Sequence, residues 1–317
     1  MRNVLQTIAL AAAGCLLLGL LVGWGKPVPV IGLFLVSGLA VGSLYALGGI
    51  GIVLLYRATG VLNLAAGAIG AASAFLTWQL GAWGVFAPLT WVAGLLAGAA
   101  LALAYGWLIA PGLSWREPVI KGVASLGYAL ILLGLVSFLW NDDPRKLSFP
   151  TDAVSLSILG LKVTGTRLIV VAAAIGIVIA ITIALNHTRI GLQMRALANN
   201  RRIASLVGVP ILRVETVAWG VSGLIFGFTG LMFGSLVRLE PAVITFMVIP
   251  CTAAAIAGRL TSLPDVLIAG LAMGVIESLL TLSDTFKSVR PMAPYVIAIA
   301  VLVAMNLTRR LTFAGED

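Results

Sequence analysis

The sequence predicts an all-α polytopic membrane protein, and three observations lead to that fold class. Hydrophobic residues make up 61% of the 317-residue chain and charged residues only 10%, against about 25% charged residues in an ordinary soluble domain. The mean hydropathy is +1.12. The apolar residues form continuous runs without strand-like alternation, which excludes a transmembrane barrel. A soluble enzyme, a nucleic-acid-binding domain and a disordered chain are excluded as well, because a soluble chain could not bury so much apolar surface.

Ten apolar segments approach the roughly 20 residues that a helix needs to cross the hydrocarbon core. The first follows Arg2 and also has the form of a signal peptide, but the apolar chain after it favours a transmembrane helix. The run 30–55 is long and glycine-rich, and the run 242–258 is short with Pro250 near its middle, so each is compatible with a broken or re-entrant helix. We therefore expect eight to ten full spans, within 4–24, 30–55, 61–82, 88–110, 119–140, 168–186, 216–237, 242–258, 265–283 and 293–308.

The basic residues between the spans set the predicted orientation. Of the 20 Lys and Arg residues, twelve fall on one side of the membrane and eight on the other. The richer side should be cytoplasmic, which places both termini there. Residues 1–317 then form a single transmembrane domain with an extracytoplasmic loop at 141–167 and a cytoplasmic loop at 187–215. The outer loop alternates around Gly160 as a β-hairpin does, and it would serve either as a docking platform or as a cover.

The cytoplasmic loop is predicted to contain a short amphipathic helix. Its apolar residues Ile190, Met194, Leu197 and Ala204 recur every three or four positions. A second face carries polar and basic side chains, and a glycine and a proline end the helix. The polar face and the glycine stop are Arg195, Asn199, Arg202 and Gly208. Two interpretations stay open: an anchor on anionic headgroups, or a coupling helix that docks on a cytoplasmic partner.

The chain contains no phosphate-binding loop and no Cys or His spacing typical of a metal site, so we expect no cofactor and no metal. Only Glu277 lies well inside a predicted span, where it would be either a relay group or a carboxylate bonded to a neighbouring helix. These features indicate a pore-forming subunit whose energy comes from another protein. The alternatives are a stand-alone secondary transporter or channel that uses Glu277, and a structural scaffold.

Further polar groups cluster in the second and third predicted spans. Groups at that depth need partners or water, so we expect them to line a translocation pathway together with Glu277. They are Ser43, Tyr45, Thr59 and Asn63. The segment Val36–Leu39 with Gly42 recurs as Val221–Leu224 with Gly227. In the predicted topology these two helices run in opposite directions, which fits an inverted repeat and also fits coincidence in a glycine-rich chain.

Three stretches together resemble the LivH-type permease subunits of branched-chain amino acid ABC importers. They are GSLYALGGIGIVLLYRATGVLNLAAGAIG at 42–70, TRIGLQMRALANNRRIASLVGVPILRV at 188–214 and AAIAGRLTSLPDVLIAGLAMGVIESLL at 254–280. The resemblance extends from about residue 30 to 308. Leu64 and Ala66 stand where a Phe and then a His or Gln are common, 199–202 lacks the acidic residues often found there, and 254–264 is poorer in glycine than usual. These departures put the substrate in doubt.

The resemblance implies a bacterial inner-membrane permease without catalytic residues that forms a heterodimer with a second, LivM-type permease. Two cytoplasmic ATPases, which bind ATP and Mg²⁺, and an extracytoplasmic solute-binding protein would complete the importer, with no nucleic-acid partner. The loop at 189–208 would be the coupling helix on an ATPase, which assigns Arg195, Asn199, Arg202 and Gly208 by motif position. Among relatives the solutes are amino acids, urea, short amides and aromatic acids, and a branched-chain or other amino acid is expected first.

Overall fold

The computed structural model describes residues 28–113, 116–152, 154–158 and 161–282, with isolated positions at 292, 295, 296, 299 and 300. The predicted first span at 4–24, most of the predicted last span at 293–308 and both termini lie outside the described residues. The description of the fold therefore rests on the chain between 28 and 282.

The described chain is almost entirely helical, which confirms the all-α class. Six of its helices, α1, α3, α5, α6, α9 and α12 below, are long and apolar enough to cross a membrane; the predicted total of ten segments is not established. In chain order the helices are α1 (Val28–Thr59), α2 (Ala66–Ala82), α3 (Ala87–Leu108), α4 (Ala110–Leu113), α5 (Pro118–Trp140), α6 (Gly165–His187), α7 (Arg189–Asn199), α8 (Arg201–Leu206), α9 (Ile211–Leu236), α10 (Pro241–Phe246), α11 (Val248–Ala257) and α12 (Leu263–Leu280).

The two irregular runs behave differently. Helix α1 is continuous over 32 residues despite its glycines. The run 242–258 is interrupted at Met247 and forms α10 and α11. Pro250 then lies in the first turn of α11, where its missing N–H breaks no intrahelical bond. The predicted helix at 61–82 begins only at Ala66, because residues 60–65 form a turn described below.

The chain divides into two compact units. Unit one comprises 1–50, 149–178 and 249–317. Within it, α1 and α12 approach so closely that a Cβ built on Gly42 would lie 2.7 Å from the carbonyl oxygen of Gly270. Gly38 lies in the same way against Gly274, and the Ser278 hydroxyl donates to the carbonyl of Phe34 at 2.6 Å. Small residues that bring two backbones together are typical of helix contacts in membranes.

Unit two comprises 51–148 and 179–248. Helix α9 is its most buried span, since 72% of its apolar window is inside the protein. A Cβ on Gly230 would lie 2.2 Å from the Gly70 carbonyl oxygen of α2, and one on Gly98 of α3 would lie 2.6 Å from the carbonyl oxygen of Gly223. Both segments of the predicted repeat therefore use their glycines for close helix contacts, each in its own unit. The inverted repeat itself stays a prediction.

The predicted hairpin in the loop 141–167 is confirmed. Strands β1 (Ser155–Ile158) and β2 (Leu161–Thr164) pair antiparallel, with Ser155 opposite Thr164 and Ile158 opposite Leu161. The Asp152 carboxylate accepts from the backbone N–H of Phe149 and from the hydroxyl of Thr166 at the start of α6. These bonds fix the hairpin to the helix that follows it.

Candidate functional site

The turn between α1 and α2 is held by side chains rather than by helical hydrogen bonds. Gly60 adopts φ +75°, a left-handed conformation that glycine tolerates best. The Thr59 hydroxyl donates to the Leu55 carbonyl at 2.9 Å and accepts from the N–H of Val61 at 3.3 Å. The Asn63 Oδ1 accepts from the N–H of Ala65 at 2.9 Å. Side chains thus pair backbone groups that a helix end leaves unsatisfied.

Asn63 is 2% exposed, and its Nδ2 has no hydrogen-bond partner among the described residues. The neighbouring Leu64 N–H donates to the Ser125 hydroxyl of α5 at 3.1 Å, which ties the turn to that helix. The bond to Ala65 fixes the orientation of the Asn63 amide, because only its oxygen can accept from a backbone N–H. Asn63 is also one of the residues that line a cavity.

This cavity lies wholly in unit two and holds about 450 Å³ of space, including its open mouth. It joins the α1–α2 turn to the end of α3, the start of α5, α8 and the start of α9. These elements lie at the ends that the predicted topology places in the cytoplasm. The cavity is lined by Thr59, Val61, Leu62, Asn63, Tyr105, Ala110, Leu113, Lys121, Ser125, Arg201, Glu215 and Trp219.

The lining contains both charged groups and aromatic rings. Arg201 of α8 forms an ion pair with Glu215 of α9. The rings of Tyr105 and Trp219 pack with their centroids 5.0 Å apart. Gly106 makes room for the indole, since a Cβ there would lie 2.7 Å from the Trp219 ring. The cavity thus combines apolar and charged lining groups, a composition typical of sites for small molecules.

The predicted pathway residues fall into two groups. Thr59 and Asn63 come together in the cavity of unit two. In unit one, the buried Tyr45 hydroxyl donates to the Glu277 carboxylate at 2.8 Å, and the Ser43 hydroxyl donates to the Leu39 carbonyl of its own helix at 2.7 Å. The bond from Tyr45 matches the interpretation of Glu277 as a carboxylate bonded to a neighbouring helix.

Five further lining residues are not predicted by the sequence pattern: Lys121, Arg201, Glu215, Tyr105 and Trp219. A signal was present for Glu215, which is the first acidic residue after the arginine-rich loop. A carboxylate there invites an arginine partner, but the sequence does not say which one. The aromatic rings lie on apolar helices, where nothing in the pattern distinguishes them from packing residues.

The cytoplasmic loop folds as two helices instead of the single one expected. Asn200 is extended, and its Oδ1 accepts from the N–H of Ile203, so it ends α7 and caps α8. Gly191, Met194, Leu197 and Ala204 are buried, as the spacing predicts for the last three, whereas Ile190 is 38% exposed.

The residues predicted to dock a partner are accessible. Arg195, Asn199 and Arg202 are exposed, although Arg202 belongs to the second helix. Gly208 has φ +83°, and the N–H groups of Gly208 and Val209 donate to the carbonyls of Ser205 and Ala204. This is the Schellman pattern, so the glycine ends α8 as expected. Exposed apolar side chains extend the same surface: Ile203, Leu206, Val207 and Leu212.

Comparison with known families identifies one match over residues 34–306, described as the permease component of branched-chain amino acid transport systems. The high-affinity branched-chain amino acid permease LivH of Salmonella typhimurium is 25% identical over 285 residues, covering 84% of this chain and 92% of LivH. BraD of Pseudomonas aeruginosa, a high-affinity branched-chain amino acid permease, is 24% identical over 301 residues, covering 89% of this chain and 95% of BraD.

An archaeal relative and a solved structure extend the comparison. The LivH-type permease protein of Methanocaldococcus jannaschii is 26% identical over 281 residues, covering 84% of this chain and 87% of that protein. Among solved structures, an inward-facing ABC transporter assigned to the metal-chelate type superposes with a TM-score of 0.57, at 13% identity, over 96% of this chain and 99% of that one. At that identity the likeness concerns the fold alone.

Proposed function

Because this chain belongs to the family of permease components of branched-chain amino acid transport systems, we propose that its solute is a branched-chain or another small amino acid. The chain is a permease subunit of an ABC importer and a multi-pass protein of the bacterial inner membrane. The match over residues 34–306 is the observation that carries this proposal. Urea, short amides and aromatic acids are the competing solutes, since Leu64 and Ala66 depart from the usual motif.

Uptake into membrane vesicles tests the solute. Vesicles that contain the whole importer are supplied with the binding protein outside and ATP inside, and accumulation of labelled leucine is measured. We expect excess unlabelled isoleucine or valine to compete and urea or acetamide not to compete. Competition by urea or acetamide alone would refute the amino-acid assignment.

Thr59 and Asn63 are proposed to line the cytoplasmic part of the pathway. Support comes from the cavity that both residues line and from the unpaired Nδ2 of Asn63. Ser43, Tyr45 and Glu277 stay predicted pathway residues, although their hydrogen bonds already give each a structural task. The secondary-carrier alternative gains no support, because the family match is to permease components of multi-protein transport systems.

The surface formed by α7, α8 and Gly208 is proposed to dock one of two partner ATPases, with a LivM-type permease and a binding protein completing the importer. Support comes from the exposed Arg195, Asn199 and Arg202 next to exposed apolar side chains, since an interface core combines apolar contacts with arginine. ATP and Mg²⁺ would bind to the ATPases, and this chain would supply contacts that differ between the two conformations of the importer.

Charge reversal tests the docking surface. Arg195→Glu should reduce co-purification of the ATPase and uncouple uptake, because it places a carboxylate in the middle of the basic surface. Lys146→Glu is the matched control, since Lys146 is also exposed but lies in the predicted extracytoplasmic loop. Equal ATPase recovery from both variants and from the wild type would refute this role for Arg195.

A further inference from the structure

The cavity in unit two carries one more positive than negative charge. Its charged side chains are Lys121, Arg201 and Glu215. The carboxylate of Glu215 is already paired with Arg201. Lys121 is within electrostatic range of both, but no carboxylate among the described residues lies within 4 Å of its ammonium group. Lys121 is therefore the charged lining group without an ion-pair partner among the described residues.

A buried, unpaired hydrogen-bond donor belongs to a residue of the same lining. The Asn63 Nδ2 is buried without a partner in the described chain, while its Oδ1 is occupied by the N–H of Ala65. Buried polar groups in folded proteins are nearly always paired. A cation and an unpaired amide donor in one lining can both bind an oxygen anion, because each donates N–H hydrogen bonds to it, and the bonds from the cation are the stronger.

Several other lining residues are apolar or aromatic. Tyr105, Trp219, Val61 and Leu62 supply aromatic and aliphatic surface. A bare inorganic anion would leave these residues unused, whereas a carboxylate with an apolar side group would contact both kinds of lining group.

We propose that this cavity is a binding subsite for a small carboxylate with an apolar side group, in which Lys121 and the Asn63 amide bind the carboxylate and Tyr105 and Trp219 contact the side group. The identity of the ligand rests on the proposed function: the ligand would be an α-amino acid at the cytoplasmic end of the translocation pathway. Since Arg201 belongs to α8, the subsite also shares a residue with the proposed docking segment.

Direct binding tests the subsite separately from transport. The intact importer, in nanodiscs without ATP or binding protein, is titrated with L-leucine, and the dissociation constant is measured by saturation-transfer difference NMR. We expect Lys121→Met to weaken binding about tenfold or more, because a hydrogen bond to a charged group is lost, and Lys121→Arg to retain most of the affinity. Asn63→Asp should also weaken binding, while its remaining oxygen still accepts from Ala65. Lys146→Met, at an exposed lysine far along the chain, should bind as the wild type does.

The choice of probe separates the two charges of an amino acid. L-Leucinamide, which lacks the carboxylate, should bind at least tenfold more weakly than leucine, and 4-methyl-2-oxopentanoate, which lacks the ammonium, should bind comparably. Equal binding of leucinamide and leucine, or no effect of Lys121→Met, would overturn the subsite. If leucine is taken up but either of these two binding results is obtained, only the subsite is refuted. If leucine is neither taken up nor bound, the proposed solute fails too.

Discussion

The close contact between α2 and α9 provides a prediction whose size can be worked from the structure. Gly230 lies against the backbone of Gly70, and a Cβ added at Gly230 would be 2.2 Å from the Gly70 carbonyl oxygen and 2.4 Å from its carbonyl carbon. Both atoms are backbone, so no side chain can rotate away. Gly230→Ala must therefore separate the helices by about 1 Å to reach ordinary van der Waals distance.

A separation of that size removes a quarter to a half of the dispersion energy of each contact along the interface. Overpacking of a buried position typically costs about 1–3 kcal/mol. For a chain of this length, that corresponds to a melting temperature lowered by about 2–10 °C. The matched control is Gly127→Ala on α5, where a Cβ would meet no atom within 4 Å. We expect that control to leave stability unchanged or to raise it slightly, because alanine favours the helix.

Intrinsic tryptophan fluorescence during heating is the appropriate assay. Seven of the eight tryptophans lie between Trp78 and Trp219 in the sequence, within the ranges of unit two, which also contains Gly230. Their fluorescence therefore reports the unit in which the change is made. Identical melting of Gly230→Ala, Gly127→Ala and the wild type would refute the close contact of α2 with α9.

Two further predictions follow from single contacts. Tyr45→Phe removes the hydroxyl that binds Glu277, so we expect unit one to lose about 1–3 kcal/mol of stability. The change is made in a Cys15→Ser background, where the remaining cysteine, Cys251, is buried and reacts with a thiol-reactive dye when unit one unfolds on heating. Unchanged dye reactivity would contradict the structural task of the bond. Gly208→Ala forces a left-handed residue with a Cβ, at a cost of about 1–2 kcal/mol, and should weaken ATPase co-purification. Gly208→Asn should restore part of the ATPase co-purification, because asparagine tolerates the left-handed conformation. Equal amounts of co-purified ATPase with the wild type and both variants would argue against a role for the glycine that ends α8.

Local patterns predicted the parts of the fold that depend on neighbouring residues. The alternation around Gly160 predicted the hairpin, and the glycine and proline after the arginine-rich loop predicted the end of α8. The break at Asn200 escaped prediction because Met194, Leu197 and Ala204 keep a helical spacing across it. The break depends on whether the Asn200 side chain caps the next helix, and an asparagine inside a helix would give the same pattern.

Contacts between distant elements could not be predicted in the same way. Gly42 lies against Gly270, and Gly70 against Gly230, but the chain has 36 glycines and the sequence does not pair them. The cavity presents the same difficulty, because Asn63, Lys121 and Glu215 come from three elements separated by more than 50 residues at each step. Hydrophobic periodicity indicates which face of a helix is buried without identifying the neighbour that buries it.

The way in which buried polar groups are satisfied distinguishes Asn63 from the serines and threonines that donate to a carbonyl of their own helix. The hydroxyls of Ser43, Ser73 and Thr229 each donate their single proton to the carbonyl four residues earlier in the same helix. Such a side chain has no donor left for a solute. An amide at a turn has two N–H groups and no helical carbonyl within reach, so its donors stay available even when it is buried. The hydroxyls of Ser43, Ser73 and Thr229 are thus used within their own helices, whereas the proposed subsite relies on Asn63 and Lys121, which lie where helices begin and end.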